Sequence, residues 1–367
     1  MVSKRALTDG HSIDPAARRG RGAASNQVSR FDSQDRVLEN DGWDIAEEIT
    51  QIRTEVRQEQ ARSLITYNTS PDLPFDRSIN VYRGCEHGCV YCFARPTHAY
   101  LGLSPGLDFE TRLTARVNAA QVLEKELRNP RYKVAPIAMG TNTDPYQPVE
   151  HQAELTRNCL KVLADYNHPV AIVTKGTGIL RDLDILAPMA AQGLASVGIS
   201  VTTLNPEISR KMEPRVPSPA KRLDVIRRLS DAGVPVRVMV SPVVPGLTDP
   251  EVEAILHAAH DAGATSASWI MLRLPLEVAP LVEAWAKEHF PDRADKILNR
   301  LREMHGGQLY SAQWGKRMRG EGVYAQMVAA RFDNTARRLG LNHPTPALRT
   351  DLFRHPPRPG DQLSLFG

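Results

Sequence analysis

Apolar positions along the chain fall into short runs that alternate with helical patterns. The runs Ile79–Tyr82, Val134–Met139, Val170–Thr174, Ser196–Val201, Pro235–Ser241 and Ser268–Arg273 have strand length and are bounded by turn formers. Between them, Pro148–Tyr166, Ile179–Gln192, Pro219–Ala232 and Pro250–Ala262 place apolar residues at helical spacing. Each connection is long enough for a right-handed crossover, so the strands are expected to lie parallel. Thr248 and Glu251 have the spacing of a capping box, and Asp249 and Pro250 add helix-start signals. Six strand–helix units predict an α/β fold, a partial (β/α)6 parallel barrel, although periodicity alone also permits an open sheet. Upstream, Ile45, Ile49, Ile52 and Val56 predict an N-terminal helix over Trp43–Ser63, and beyond Pro280 the pattern is helical to Leu341.

These patterns divide the chain into a basic N-terminus (1–40), a helix and connection (41–77), an α/β core (78–277), a C-terminal helical region (278–341) and a Pro/Arg-rich tail (342–367). Residues 1–40 carry too few large apolar groups to offset the entropy of ordering and are expected to be disordered. The tail is expected to be mobile.

Composition changes this picture little. A hydrophobic fraction of 41% supplies a core, and a formal charge of +4 suits phosphate or nucleic-acid partners without arguing for them. No apolar stretch is long enough to span a membrane, and Met1–Ser33 has no apolar core of a secretory signal, so a cytoplasmic location is expected.

Four cysteines, three of them clustered, do not make a disulfide framework and point to metal or redox chemistry. The cluster reads Gly84-Cys85-Glu86-His87-Gly88-Cys89-Val90-Tyr91-Cys92-Phe93, a C-x3-C-x2-C pattern just past the first predicted strand. In parallel α/β folds chemistry sits at the carboxyl ends of strands. Thiolates are the soft ligands iron–sulfur clusters need, and three where four would saturate a [4Fe–4S] cluster leave one iron open. A structural zinc site, with His87 or a distant residue as fourth ligand, is the competing reading; it lacks the usual second C-x2-C knuckle.

The C-x3-C-x-aromatic-C motif, with Tyr91 before the last cysteine, resembles the hallmark of the radical SAM superfamily. Ser78–Glu110 and Thr141–Glu150 are similar to the branch containing spore photoproduct lyase, often labelled DNA repair photolyase. Within it the chain resembles a radical SAM family of actinobacteria, and the resemblance runs from Ser63 to Leu341. It implies that 78–277 is a radical SAM core, and that Cys85, Cys89 and Cys92 ligate a [4Fe–4S] cluster. S-adenosyl-L-methionine (SAM) would chelate the fourth iron and be cleaved reductively to a 5′-deoxyadenosyl radical. It further implies that Tyr91 lies near the adenine, that Gly140, Thr141, Asn142, Thr143 and Asp144 stand where the family binds the SAM amine, that Lys175 approaches its carboxylate and Ser200 its ribose, and that Arg273 faces the site. An electron donor of flavodoxin or ferredoxin type is implied as a partner, and DNA as a candidate substrate.

The hydrogen-donating cysteine that the resemblance places late in the lyase has no counterpart after Cys159, which sits on a helical core stripe with Leu155, Val162 and Leu163. That particular reaction is therefore not carried over. The residues leave open an enzyme acting on nucleic acid, one modifying a small molecule or protein, and a non-catalytic iron–sulfur protein. Finally, Gln362-Leu363-Ser364-Leu365-Phe366 resembles the pentapeptide that docks on the bacterial DNA sliding clamp, tethered by Pro356-Pro357-Arg358-Pro359.

Overall fold

The structure is a computed structural model that describes residues 11–13, 18–27, 29–31 and 52–357. Its strands are β1 (His11–Ser12), β2 (Ser25–Asn26), β3 (Glu55–Glu59), β4 (Thr66–Tyr67), β5 (Arg77–Ile79), β6 (Tyr82–Arg83), β7 (Arg112–Arg116), β8 (Ile137–Met139), β9 (Val170–Thr174), β10 (Ala195–Ser200), β11 (Val236–Val243) and β12 (Ser266–Met271). β5, β8, β9, β10, β11 and β12 run parallel and neighbour one another in chain order, with β4 antiparallel on the β5 edge. Crossover helices join them, so the six expected units are present as a parallel α/β sheet with the connectivity of a partial barrel. A smaller sheet, β3-β7-β6, flanks the entry to the cysteine loop.

Strand register explains both the core and the site. Ile79, Met139, Ile172, Val197 and Val236 form one row across five strands, each 1% exposed under the helices. The opposite face carries Ser78, Ala138, Ala171 and Ser196 in one row and Ser200, Met239 and Ser268 in another. Between these two rows lies a third, Val173, Gly198, Arg237 and Ser266, so this face mixes small and polar residues with a few large ones, where most parallel barrels pack bulky branched residues inside.

The two sheet edges do not pair with each other. A loop over 305–321 bridges them: the Met271 amide donates to Met318 O (2.9 Å), and Arg317 donates to Asp72 Oδ2 and Ser70 Oγ, each 2.6 Å, in the β4–β5 connection. The loop interrupts a C-terminal region otherwise formed by helices Val278–His289, Pro291–Met304 and Gly322–Arg338.

Several expectations are corrected. The part of the expected Trp43–Ser63 helix that is described contains strand β3, paired parallel with β7; backbone pairing overrides the spacing of Ile52 and Val56, and residues 43–51 lie outside the described residues. The expected strand Ile79–Tyr82 splits between two sheets. The expected helix Pro148–Tyr166 breaks at Glu154, whose φ is +50°, into Glu150–Ala153 and Leu155–Asp165. Thr248 and Glu251 form no capping box. Thr248 Oγ1 accepts from the Val244 amide, and Glu251 accepts from Thr203 Oγ1 and the Leu204 amide instead. Helices Ala119–Leu127 and Pro206–Met212 had no sequence reading.

The expectation of disorder over 1–40 fails for residues 18–27 and 29–31, which pack on the core through Ala23 (0% exposed) and ion pairs Arg18–Glu288 and Arg30–Glu277. The described part of the tail, to Pro357, is also docked rather than free. Thr345 bonds Ser266 and Arg237, the Arg349 amide donates to Gly193 O, the Arg354 amide to Tyr166 O, and Arg128 to Pro356 O. These contacts lie at the amino ends of the strands. Gln362–Phe366 lies outside the described residues.

Candidate functional site

The site is assembled from loops at the carboxyl ends of the strands. β6 ends at Arg83, and Gly84 (φ +78°) turns the chain so tightly that a Cβ there would meet Leu113 Cδ2 at 2.8 Å and Phe109 O at 2.9 Å. The Cys85 amide then donates to Phe109 O (2.8 Å), and the Cys92 amide to Cys89 O (3.2 Å). Cys85 and Cys89 are buried and Cys92 half-buried, all as free thiols.

The loop is held from behind by a wholly buried ion pair, Arg95 Nη2–Glu110 Oε1 at 2.5 Å. Arg95 also donates to Cys89 O from Nε (3.0 Å) and Nη2 (2.9 Å), and from Nη1 to Gly106 O (2.8 Å). Glu110 in turn accepts the amides of Gly22 (2.9 Å) and Ala23 (2.8 Å). This brings the N-terminal segment directly over the cysteine loop. A Cβ at Gly22 would lie 1.9 Å from Gly88 O, so only glycine fits.

Burial pushes the Cys85 thiol well above its usual range, with Asp144 and Cys89 adding to the effect. It pushes Cys89 up to about 12, against the pull of Lys175, and raises Cys92 against the pull of Arg95. The thiols therefore need a cationic partner to ionise, which iron would supply; a coordinating thiol loses its proton outright. Among the described residues no three His, Cys, Asp or Glu side chains converge as ligands of a single metal ion. A four-iron cluster asks for something else: each thiolate meets its own iron at a separate corner.

The sequence candidates gather around this loop. Lys175 follows β9, with Nζ 5.9 Å from the Tyr91 ring centroid. Burial lowers its pKa, but Cys89, Glu213 and Asp144 more than compensate, so it stays charged. Asp144 is spent on architecture: it accepts from Thr174 Oγ1 (2.6 Å), the Tyr146 amide (2.9 Å) and the Lys175 amide (2.8 Å), and pairs with His87 Nδ1 (3.3 Å). Burial alone would raise its pKa, yet His87 and these donors hold it down to about 2.

Gly140 (φ +86°) lets the chain pass Val173 O, which a Cβ would approach to 1.9 Å. Asn80 organises the next residues, donating to Thr141 Oγ1 (3.2 Å) and accepting from the Asn142 amide (3.1 Å), while Thr143 Oγ1 donates to Tyr82 O (3.2 Å). Asn142 is exposed. Ser200 is buried at the end of β10. Arg273, just past β12, stacks with its Cζ 4.8 Å from the Phe93 ring centroid. Cys159 is fully buried on helix Leu155–Asp165, away from the other three, where burial raises its thiol pKa.

A second buried ion pair, absent from the sequence reading, ties these loops together. Glu213 accepts from the Tyr91 hydroxyl and from Thr202 Oγ1 (3.2 Å), and pairs with Arg222 Nη2 at 2.7 Å, both side chains being fully buried. Arg222 also donates to Ser200 O (3.0 Å) and Ser209 Oγ (2.8 Å). Burial would raise the Glu213 pKa, but Arg222 and Lys175 lower it overall. The one usable signal was Arg222 itself, a charge on the apolar stripe of Val225, Ile226 and Leu229.

The family model for the radical SAM superfamily matches residues 79–259. An uncharacterized protein of Mycobacterium tuberculosis (strain H37Rv) is 40% identical over 235 residues, 64% of this chain and 68% of that one. Another, of Methanocaldococcus jannaschii, is 30% identical over 173 residues, 47% of this chain and 62% of that one. Among solved structures, a cysteine mutant of spore photoproduct lyase superposes with a TM-score of 0.54 at 18% identity, covering 77% of this chain and 78% of that one. A mutant of the same enzyme with bound AdoMet and dinucleoside spore photoproduct gives 0.53 at 18% identity over the same shares. At such identity the likeness is one of fold. The chain belongs to the radical SAM superfamily and is an enzyme of that class.

Proposed function

We propose that this enzyme holds a [4Fe–4S] cluster on Cys85, Cys89 and Cys92 and uses it to cleave SAM reductively. The observation that carries the reading is three free thiols on one buried loop, at the carboxyl-end mouth of a parallel sheet, faced by the charged Lys175. When bound, such a cluster passes one electron to SAM and so releases a 5′-deoxyadenosyl radical able to take hydrogen from a substrate. The chain's own residues position and shield. Lys175 offers its ammonium to the SAM carboxylate, and Ser200 offers its hydroxyl to the ribose. Glu213 fixes the Tyr91 ring by its hydrogen bond. The N-terminal segment covers the cysteine loop and keeps water from its outer side.

The electron would come from a flavodoxin- or ferredoxin-type donor. The dinucleoside photoproduct bound by a structural relative makes DNA the first substrate to try, and Gln362–Phe366 offers a route to it through the sliding clamp.

The test is anaerobic reconstitution. Wild type is expected to hold about four irons per chain and, once reduced, to convert SAM to 5′-deoxyadenosine, while Cys85→Ala, Cys89→Ala and Cys92→Ala lose both properties. Full iron content in the triple variant would remove the cluster assignment. Iron without any 5′-deoxyadenosine would leave an iron–sulfur binding protein.

A further inference from the structure

The seam where the two sheet edges fail to meet holds a cation whose charge is unmatched. Arg273 projects from the end of β12 and is fixed by two rings from separate segments. Its Cζ lies 4.8 Å from the centroid of Phe93, the residue after Cys92, and 6.0 Å from that of Tyr310 on the bridging loop, whose hydroxyl accepts from Nη2 at 3.4 Å. Of the bridging loop's own cations, Arg317 is paired with Asp72 (2.6 Å) and Lys316 with Glu321 (3.0 Å), whereas Arg319, like Arg273, is held by an aromatic ring, that of Trp269 (4.1 Å). Arg273 makes no ion pair among the described residues. The carboxylate whose field it shares, Asp72, is taken by Arg317 and the Gly315 amide.

A second feature points the same way. Arg273 Nε is buried with no acceptor. The side chain as a whole is half-buried, but an N–H desolvated without an acceptor costs free energy, and an incoming anion would relieve that cost. Access is open, because Phe93 is 43% exposed although its neighbour Cys92 is a cluster ligand in the reading above. The planar fork of arginine, pre-oriented by stacking, suits an oxyanion.

We propose that Arg273 is the anion-binding residue of a substrate subsite at this seam, taking a phosphate or carboxylate carried by the reacting molecule; this rests on the radical SAM reading of the adjoining loop. It gives Arg273, which the sequence resemblance has facing the site among the residues expected to bind the cofactor, a place on the substrate side instead. Stacking on Phe93, the residue after Cys92, would set a bound anion beside the cysteine loop.

The test uses the full chain reconstituted anaerobically with SAM, as wild type, Arg273→Ala and Arg273→Lys. Inorganic phosphate, uridine 5′-monophosphate and benzoate are titrated calorimetrically at low ionic strength, where screening is weak, with uridine as the uncharged control. Wild type should bind at least one anion saturably and uridine not at all. Arg273→Ala should weaken that binding at least about tenfold, the scale of one lost charge-assisted bond. Arg273→Lys, which keeps the charge but not the plane, should fall between. The two phosphate probes against benzoate tell phosphate from carboxylate.

Absence of anion binding in wild type up to about 10 mM, a level corresponding to only very weak affinity, would overturn the proposal. So would equal binding in Arg273→Ala, as would phosphate that competes with SAM while Arg273→Ala weakens both alike, which would return the residue to the cofactor. Iron content of the same samples keeps the failures apart: a wild type without iron refutes the cluster reading, whereas one with iron and no anion binding refutes only the subsite.

Discussion

Replacing Glu110 by Ala tests how the cysteine loop is held. The Glu110 carboxylate lies wholly buried at 2.5 Å from Arg95 and takes two backbone amides, of Gly22 and Ala23. Its removal leaves a charged guanidinium in the interior, whose remaining acceptors are the carbonyls of Cys89, Pro105 and Gly106. Deleting one partner of such a pair costs about 3–5 kcal/mol. The two orphaned amides would add roughly 1 kcal/mol each if they stayed buried, although the segment carrying them can lift into water instead. Against a total stability of about 5–15 kcal/mol, the variant should be barely folded.

Glu110→Gln keeps the shape and an acceptor oxygen but not the charge, so it should fold with a smaller loss. Because Arg95 grips Cys89 O through two donors, that loss should fall on the cysteine loop. The assay is urea unfolding of cluster-free wild type and both variants, followed by the rate at which a chelator strips iron from reconstituted wild type and Glu110→Gln. A Glu110→Ala midpoint within about 0.5 kcal/mol of wild type, or identical iron loss in the Gln variant, would refute the view that this pair supports the loop.

Three further outcomes are expected. Gly22→Val drives a side chain into Gly88 O and should displace the N-terminal segment, read as tryptic cleavage near Arg21 at least about tenfold faster than in wild type; an unchanged rate would mean that the close approach is not real. Lys175→Ala should weaken SAM binding about ten- to hundredfold without loss of iron, the cost of one charge-assisted hydrogen bond, and Ser200→Ala, which loses a neutral one, up to about tenfold; unchanged affinity in both would remove these residues from the site. His168 is fully buried between Pro169 O and the Tyr132 hydroxyl, and burial holds its pKa down to about 4. The unfolded chain takes up a proton as pH falls through about 6.5 while the folded one refuses it, so stability is complete above that pH and falls by about 3 kcal/mol towards pH 4. Urea midpoints across this range should show that slope in wild type and not in His168→Gln; parallel curves would exclude His168 as its source.

Much of the architecture could be read directly from local pattern. Strand β9 has the bounds expected from Val170-Ala171-Ile172-Val173-Thr174, and helix Pro219–Asp231 ends one residue short of its expected limit. In both, neighbouring residues share one face or one row, and periodicity records that sharing. The cysteine motif was legible for a different reason: chelating spacing within eight residues is itself local. No membrane-spanning helix was expected, and no helix among the described residues is long and apolar enough to cross a membrane.

What the tertiary structure alone decided is how the loop is supported and what faces it. Glu110 meets Gly22 from 88 residues away, Tyr91 meets Glu213 across 122, and Arg317 meets Asp72 across 245. Residues 18–27 looked disordered because they dock through backbone amides and paired arginines, and neither leaves an apolar pattern. Strand β3 looked helical because its side chains are mostly exposed and its partner β7 was unseen. By itself the sequence determined the six core strands, most of the helices between them and the spacing of the three clustered cysteines, because those depend on residues close in the chain. Burial of charge against charge and of glycine against carbonyl depends on which distant segments folding brings together, and only the folded chain reveals them.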